Sequence, residues 1–155
     1  MSSPLQSLIG YVNRRPGLLL AIAFAIVQLV LYLRLGIGTG GEADKYITQG
    51  QFLYRDGQLS ESKFIFYLPI ILLVWLCKIL GTSYLPAVLI QVAVSAFAHR
   101  CFYQMGYRIA GLRVAFWSTL LLIFFIPLQS WNFFLYSDSL FISASLIFTY
   151  ILYRY

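Results

Sequence analysis

The sequence predicts an all-α bundle of membrane-spanning helices, and three observations predict it. Apolar residues make up 61% of the 155 and charged residues only 10%, against about 45–50% and about 25% in soluble domains. The mean hydropathy is +0.81, so there is too little charge to clothe one globule in water. The apolar residues fall in five blocks, Gly17–Leu33, Phe64–Cys77, Tyr84–Ala98, Val114–Leu128 and Ser139–Tyr153, with nearly all the charge between them. This composition excludes a disulfide scaffold, a disordered tail and a free-standing DNA-binding domain, despite a formal charge of +6. No nucleic-acid partner is expected, and the positive balance reads as orientation in a membrane.

The first block is preceded by Arg14 and Arg15, as in a signal peptide. Its 17 residues exceed the roughly 7–15 of a signal core, and Arg34-Leu-Gly-Ile-Gly offers no small-residue cleavage site. It therefore reads as an uncleaved first span. The second block has 14 residues between Lys63 and Lys78, short of the roughly 17–25 that cross a bilayer. Pro69 also removes a helix hydrogen bond inside it, so 64–80 is expected to be an interfacial or re-entrant helix. The third block reaches a full span if His99 and Arg100 sit at the membrane edge, and the fourth and fifth reach it through their aromatic flanks. Residues 36–63 form the one sizeable loop. Within it Tyr46 to Tyr54 is loosely amphipathic and Asp56-Gly57 is a natural stop, which predicts a short helix on the membrane surface.

Charge placement chooses the layout, because Lys and Arg of short loops stay on the cytoplasmic side. Four spans with both termini inside place Arg14, Arg15, Arg100, Arg108, Arg113 and Arg154 within, and no acid with them. The outer side then carries Arg34, Lys45, Arg55, Lys63 and Lys78 with all five acids, Glu42, Asp44, Asp56, Glu61 and Asp138. Five spans with the N-terminus outside also satisfy the count, but put the Arg14-Arg15 pair on the wrong side. The expected architecture is a single multi-pass domain over 1–155 with four transmembrane helices plus interfacial helices, five being the alternative. A bacterial inner membrane fits this orientation.

Few residues carry chemical potential. Cys77 and Cys101 lack spacing and partners for a disulfide or zinc, and read as buried thiols. The run Gly36-Ile-Gly38-Thr-Gly40-Gly41 follows a membrane helix and lacks the Lys-Ser/Thr of a phosphate loop, so it reads as a flexible helix exit. His99 is the only histidine and reads as a membrane-edge residue. The acids are more informative. Glu42 and Asp44 lie just past the outer end of the first helix, where a carboxylate can stand close to a membrane-bound substrate, or can simply be solvated. Asp138 ends an aromatic belt and enters an apolar helix. An acid there is costly enough to point to function, or it caps the helix by accepting from the N–H groups of Leu140 and Phe141.

The order of these features resembles the N-terminal third or so of the GT-C class of integral-membrane glycosyltransferases, which includes protein O-mannosyltransferases and the aminoarabinose transferases of lipid A. The resemblance rests on Glu42-Ala-Asp44-Lys-Tyr46 after the first helix, then Gly57, then Lys63-Phe-Ile-Phe-Tyr-Leu-Pro69. Gly81-Thr-Ser, the basic loop Tyr107-Arg-Ile-Ala-Gly-Leu-Arg113, a helix ending in Pro127, and Asp138 heading the next helix continue it. Lys63 follows Gly57 more closely than is usual in the family, and Phe64-Ile65 replaces its Pro-Pro. Family members run to several hundred residues, so the resemblance implies a fragment or a short stand-alone relative.

What the resemblance implies is sugar transfer from a polyprenyl-phosphate donor to an acceptor at the outer face, by a single inverting displacement. The register from Tyr46 points to Glu42 as the family acid, with Asp44 as a shifted alternative and Asp138 as a further acid of the site. A carboxylate would take the acceptor proton. Lys63, then Arg55, would hold the donor phosphate, and Tyr46 would line the substrate site. No cofactor is implied, and a divalent metal is left open. The contrasting reading, from another class, is a non-catalytic membrane scaffold or assembly subunit whose loop acids are merely solvated.

Overall fold

The computed structural model describes residues 15–155, so Arg14 and the residues before it lie outside the described part. Helix covers 84% of the described residues, with no strand among them. In chain order the elements are α1 (Pro16–Leu35), α2 (Glu42–Asp56), a 3-10 segment (Ser62–Tyr67) running into α3 (Leu68–Ile79), α4 (Leu85–Phe124), α5 (Ile126–Ser130), a 3-10 turn (Trp131–Phe133) and α6 (Ser137–Arg154).

Helix α4 is two arms joined at Gly111, whose φ of 79° and ψ of 177° turn the chain back on itself. Gly106 then lies against the backbone of Ala115. Further along, Gln129 reaches His99, and Gln91 reaches the carbonyl of Phe134. The arms are thus an antiparallel hairpin. The first arm, 85–110, is about 39 Å long at about 1.5 Å per residue, enough to cross a hydrocarbon core of about 30 Å. The second arm, 112–124, is about half that length.

The fourth apolar block is therefore not one helix. Phe125 takes φ −75° and ψ 81°, and Pro127 beyond it has no N–H to return to the carbonyl of Ile123. The chain restarts as α5, tightens into the 3-10 turn, and runs extended through Phe134–Tyr136. That extended piece pairs with the exit from α1. Gly38 donates to Phe133 O at 2.8 Å, and Leu135 donates to Gly38 O at 3.3 Å. A Cβ on Gly38 would collide with the Phe134 ring, so this glycine gives the strap its closeness and is more than a flexible exit.

The bundle consequently has two chemically distinct ends. Residues 36–42, 84–91 and 134–138 meet at one of them, which carries Glu42, Asp44 and Asp138 and is called here the acidic end. Gly17, Gln104, Arg108 and Arg154 lie toward the other, the arginine end. Residues 62–79 run beside α2, with Tyr67 against Tyr46 at a centroid distance of 5.2 Å and Val74 packed on Gly50. They leave from and return to the acidic end. By length and composition three helices suffice to cross a membrane: Pro16–Leu35, Ser62–Ile79 and Leu85–Phe124. Helix α6 is not among them; Ser139, Ser143, Ser145 and Thr149 dilute its apolar character.

Polar side chains fill the middle of the bundle. Gln129 Nε2 donates to Leu122 O at 2.9 Å, a carbonyl at the helix break, and its second proton faces His99 Nε2 at 3.0 Å. Gln129 Oε1 accepts from Gln28 Nε2 at 2.8 Å, and Gln28 Oε1 accepts from Asn132 Nδ2 at 3.2 Å. Asn132 Nδ2 also donates to Ser95 Oγ at 3.3 Å, and its Oδ1 accepts from Ser139 Oγ at 2.6 Å. His99 corrects the expectation of a membrane-edge residue, since it is 6% exposed and inside this network. Its Nε2 faces an amide donor, so Nε2 accepts, while Nδ1–H donates to Ser95 O at 2.8 Å. The ring is held as the neutral Nδ1–H tautomer. Cys77 and Cys101 are free and buried.

Gln129→Met keeps the volume but strips partners from Gln28, His99 and the Leu122 carbonyl. Each buried polar group left alone costs about 1–3 kcal/mol. The variant is expected to lose at least that much in a reversible unfolding titration in detergent, while Gln51→Met, on the exposed face of α2, should stay within about 0.5 kcal/mol of the parent.

Candidate functional site

The acidic end gathers most of the residues singled out by the sequence. Helix α2 starts at Glu42, just after Gly41 with φ 67°, and stops at Gly57 in the left-handed region with φ 71°. Glu42 and Asp44 in its first turn favour the helix dipole. Ala43, Tyr46 and Gly50 recur at helical spacing and are buried on one face, and Gly50 admits Val74 of α3 so closely that no side chain fits between them. Gln49 fixes the far loop, its amide bonded to Ser60 at 2.7 and 3.0 Å.

Tyr46 is the centre of the cluster. It is 4% exposed and stacks obliquely on Tyr67, with the Ser137 side chain, Glu42 and Asp138 close enough to act on it electrostatically. Burial pushes the phenol above its ordinary range; the Ser137 side chain opposes this, and the two carboxylates and Tyr67 add to it. Tyr136 ties the neighbouring loop down, its hydroxyl donating to Gly40 O at 3.3 Å. Glu42 and Tyr46, four residues apart, share a face of α2. Asp44 stands about 200° around the helix from Glu42, so the two acids point to nearly opposite sides.

Asp138 is half-buried and occupies the first turn of α6 rather than its cap. The residue before the helix is Tyr136, and no side-chain cap bond is made. The capping alternative is thus corrected: Asp138 acts on the helix only through its charge near the N-terminus. Among the candidate cations, Lys63 sits in the 3-10 segment with Tyr67, paired with Glu61 at 2.7 Å and lying over the Phe64 ring. Lys45 pairs with Glu42 at 3.3 Å; both are well exposed, and such a pair is worth about 0–1 kcal/mol, so it leaves Glu42 available. Arg55 is not brought into the site. It lies thirteen residues along α2 from Glu42, about 20 Å away, beside Asp56. Among the described residues no three His, Cys, Asp or Glu side chains come together as a metal-binding set.

The structure adds residues that the sequence reading passed over. Gln91, 0% exposed, bonds the carbonyl of Phe134 at 3.1 Å and that of Tyr136 at 3.5 Å, and so fixes the strap that leads into Asp138. Ser139 beside Asp138 reports back to Asn132 in the central network. The available signal was four amides, Gln28, Gln91, Gln129 and Asn132, placed within or beside apolar blocks.

Set against known protein families, curated proteins and solved structures, the chain matches none. The chemistry of the site therefore rests on its own residues.

Tyr46→Phe removes the polar interaction of the phenol with the Ser137 side chain and should cost about 0.5–1.5 kcal/mol at neutral pH. Because the native phenol titrates above its ordinary value of 10.0, the parent loses stability as pH rises through and beyond that value, and the Phe variant loses less. The gap between them should narrow above pH 10, read from melting temperatures of both proteins between pH 8 and pH 11.

Proposed function

We propose that this chain is the membrane portion of a GT-C-like glycosyltransferase, moving a sugar from a polyprenyl-phosphate donor to an acceptor at the face of a bacterial inner membrane that carries the acidic end. The observation that supports it best is the convergence of Glu42, Tyr46 and Asp138, from segments almost a hundred residues apart, at one end of an apolar bundle. In this reading Glu42 takes the acceptor proton as the acceptor oxygen attacks the anomeric carbon, and the bond from that carbon to the phosphate oxygen breaks. The departing polyprenyl phosphate carries its charge to Lys63. Glu42 is preferred to Asp44 because it shares the face of Tyr46. Such a base is worth about 10²–10⁴-fold in rate. Transfer by the full natural protein should fall by that factor in Glu42→Gln, fall in Asp138→Asn without loss of stability, and change little in Asp44→Asn. Parent-like transfer in all three and in the triple variant would remove the catalytic role.

The membrane layout belongs to the same proposal. Four crossings are made by α1, the first arm of α4, the broken path 112–133 and α6, while 62–79 lies in the outer interface beside α2. Lys63 and Lys78 at its ends reach headgroup phosphates. In a background lacking Cys77 and Cys101, cysteines at 44 and 138 should react with an impermeant thiol reagent from outside, and one at 108 should be protected. The reverse pattern would sink the layout.

A non-catalytic scaffold is the second reading, and one observation favours it. Two hollows of the bundle lie toward the arginine end, away from Glu42. The activity series separates the two readings.

A further inference from the structure

Those hollows adjoin one another and differ in chemistry. The first, about 510 Å³, lies between α1 and both arms of α4, walled by Leu20, Phe24, Ala96 and Ile123 with His99 and Thr119. Its volume is within the roughly 300–1,000 Å³ of small-molecule sites. Both ring nitrogens of His99 are engaged, but the hydroxyl of Thr119, 1% exposed, is buried with no partner among the described residues. Ser145 and Thr149 turn their hydroxyls back to the carbonyl four residues earlier, at 2.9 and 2.8 Å; Thr119 does not. A buried hydroxyl without a partner is uncommon in a native interior and calls for an acceptor. The second hollow, about 710 Å³, shares Arg100, Tyr103 and Gln104 with the first and adds Arg108 and Arg154. Among the described residues no carboxylate pairs with these three arginines; the ion pairs found are Lys45–Glu42, Arg55–Asp56 and Lys63–Glu61.

We propose that the two hollows are one binding site for an anionic membrane lipid. An acyl chain occupies the apolar hollow, and the phosphate is held by Arg100, Arg108 and Arg154, whose planar guanidinium groups match phosphate oxygens in pairs. Thr119 donates its hydroxyl proton to an ester oxygen of the lipid. Under the charge rule the arginine end faces the cytoplasm, so the lipid comes from the inner leaflet. The inference rests on the membrane layout and not on the glycosyl-transfer reading.

The test is native mass spectrometry of the full chain in an uncharged detergent, offered phosphatidylglycerol and phosphatidylcholine with identical acyl chains. One phosphatidylglycerol should be retained with at least about a tenfold preference, the equivalent of about 1.4 kcal/mol. Arg100→Gln with Arg108→Gln should bring the preference close to unity. Thr119→Val should weaken retention of both lipids by roughly fivefold, the scale of one hydrogen bond, while the melting temperature of the lipid-free protein holds or rises. Inorganic phosphate should not displace the lipid. Equal retention of the two lipids by the parent, retention unchanged in Thr119→Val, or displacement by phosphate alone would each overturn the proposal. The exposed arginines and the near-isosteric Val keep the fold out of question.

Discussion

A membrane interior offers no water to a polar group without a partner, and the helix break at Phe125 places such groups in the middle of this bundle. The Leu122 carbonyl at the break accepts from Phe125 N–H at 3.3 Å, and the Gln129 side chain adds a second bond at 2.9 Å. An amide placed there brings an oxygen and a second proton that also need partners, and Gln28 and His99 supply them. The requirement passes on through Asn132 and Ser95 to Ser139. One buried amide at the break thus links α1, both arms of α4, α5 and α6 by directional bonds, where side-chain packing alone would leave helices free to slide. In lipid, where apolar helix faces gain little from meeting each other, such bonds and close packing select the arrangement.

The same chain of bonds sets the acidic end. Fixing Asn132 fixes the strap that follows it, and the strap pairs with Gly38 and accepts from Gln91. Tyr136 then holds Gly40, so the start of α2 is placed relative to the start of α6. Glu42 and Asp138 meet around Tyr46 for this reason. Among the described residues neither acid forms an ion pair with a partner distant in sequence; their position comes from the backbone beneath them.

Much of the outline was legible in the sequence because it depends on local rules. Apolar blocks marked the helices, Gly57 marked the end of α2, and the segregation of acids from Arg100, Arg108, Arg113 and Arg154 matches the two ends of the bundle. Glu42 was singled out with Tyr46 only through the family resemblance; that the two share a face of α2 follows from the helix, where residues four apart return to one side. The broken fourth block was not, because hydropathy is blind to where a helix stops inside an apolar run. His99 was misplaced for a related reason. A charged neighbour, Arg100, suggested a membrane edge, but Arg100 is exposed while His99 is buried, and the partner of its Nε2, Gln129, lies thirty residues further on. The helical length of 62–79 was underestimated because the 3-10 segment continues into α3 without a gap.

The bond between Gln28 and Gln129 joins residues 101 positions apart. At about 5–20 residues per second, Gln28 is synthesised roughly 5–20 s before its partner exists. During that interval α1 is already long enough to enter the bilayer, with an amide at its centre and nothing to bond it. The network that holds Gln28 of α1 is therefore complete only once the broken fourth apolar block has been made, a hundred residues later.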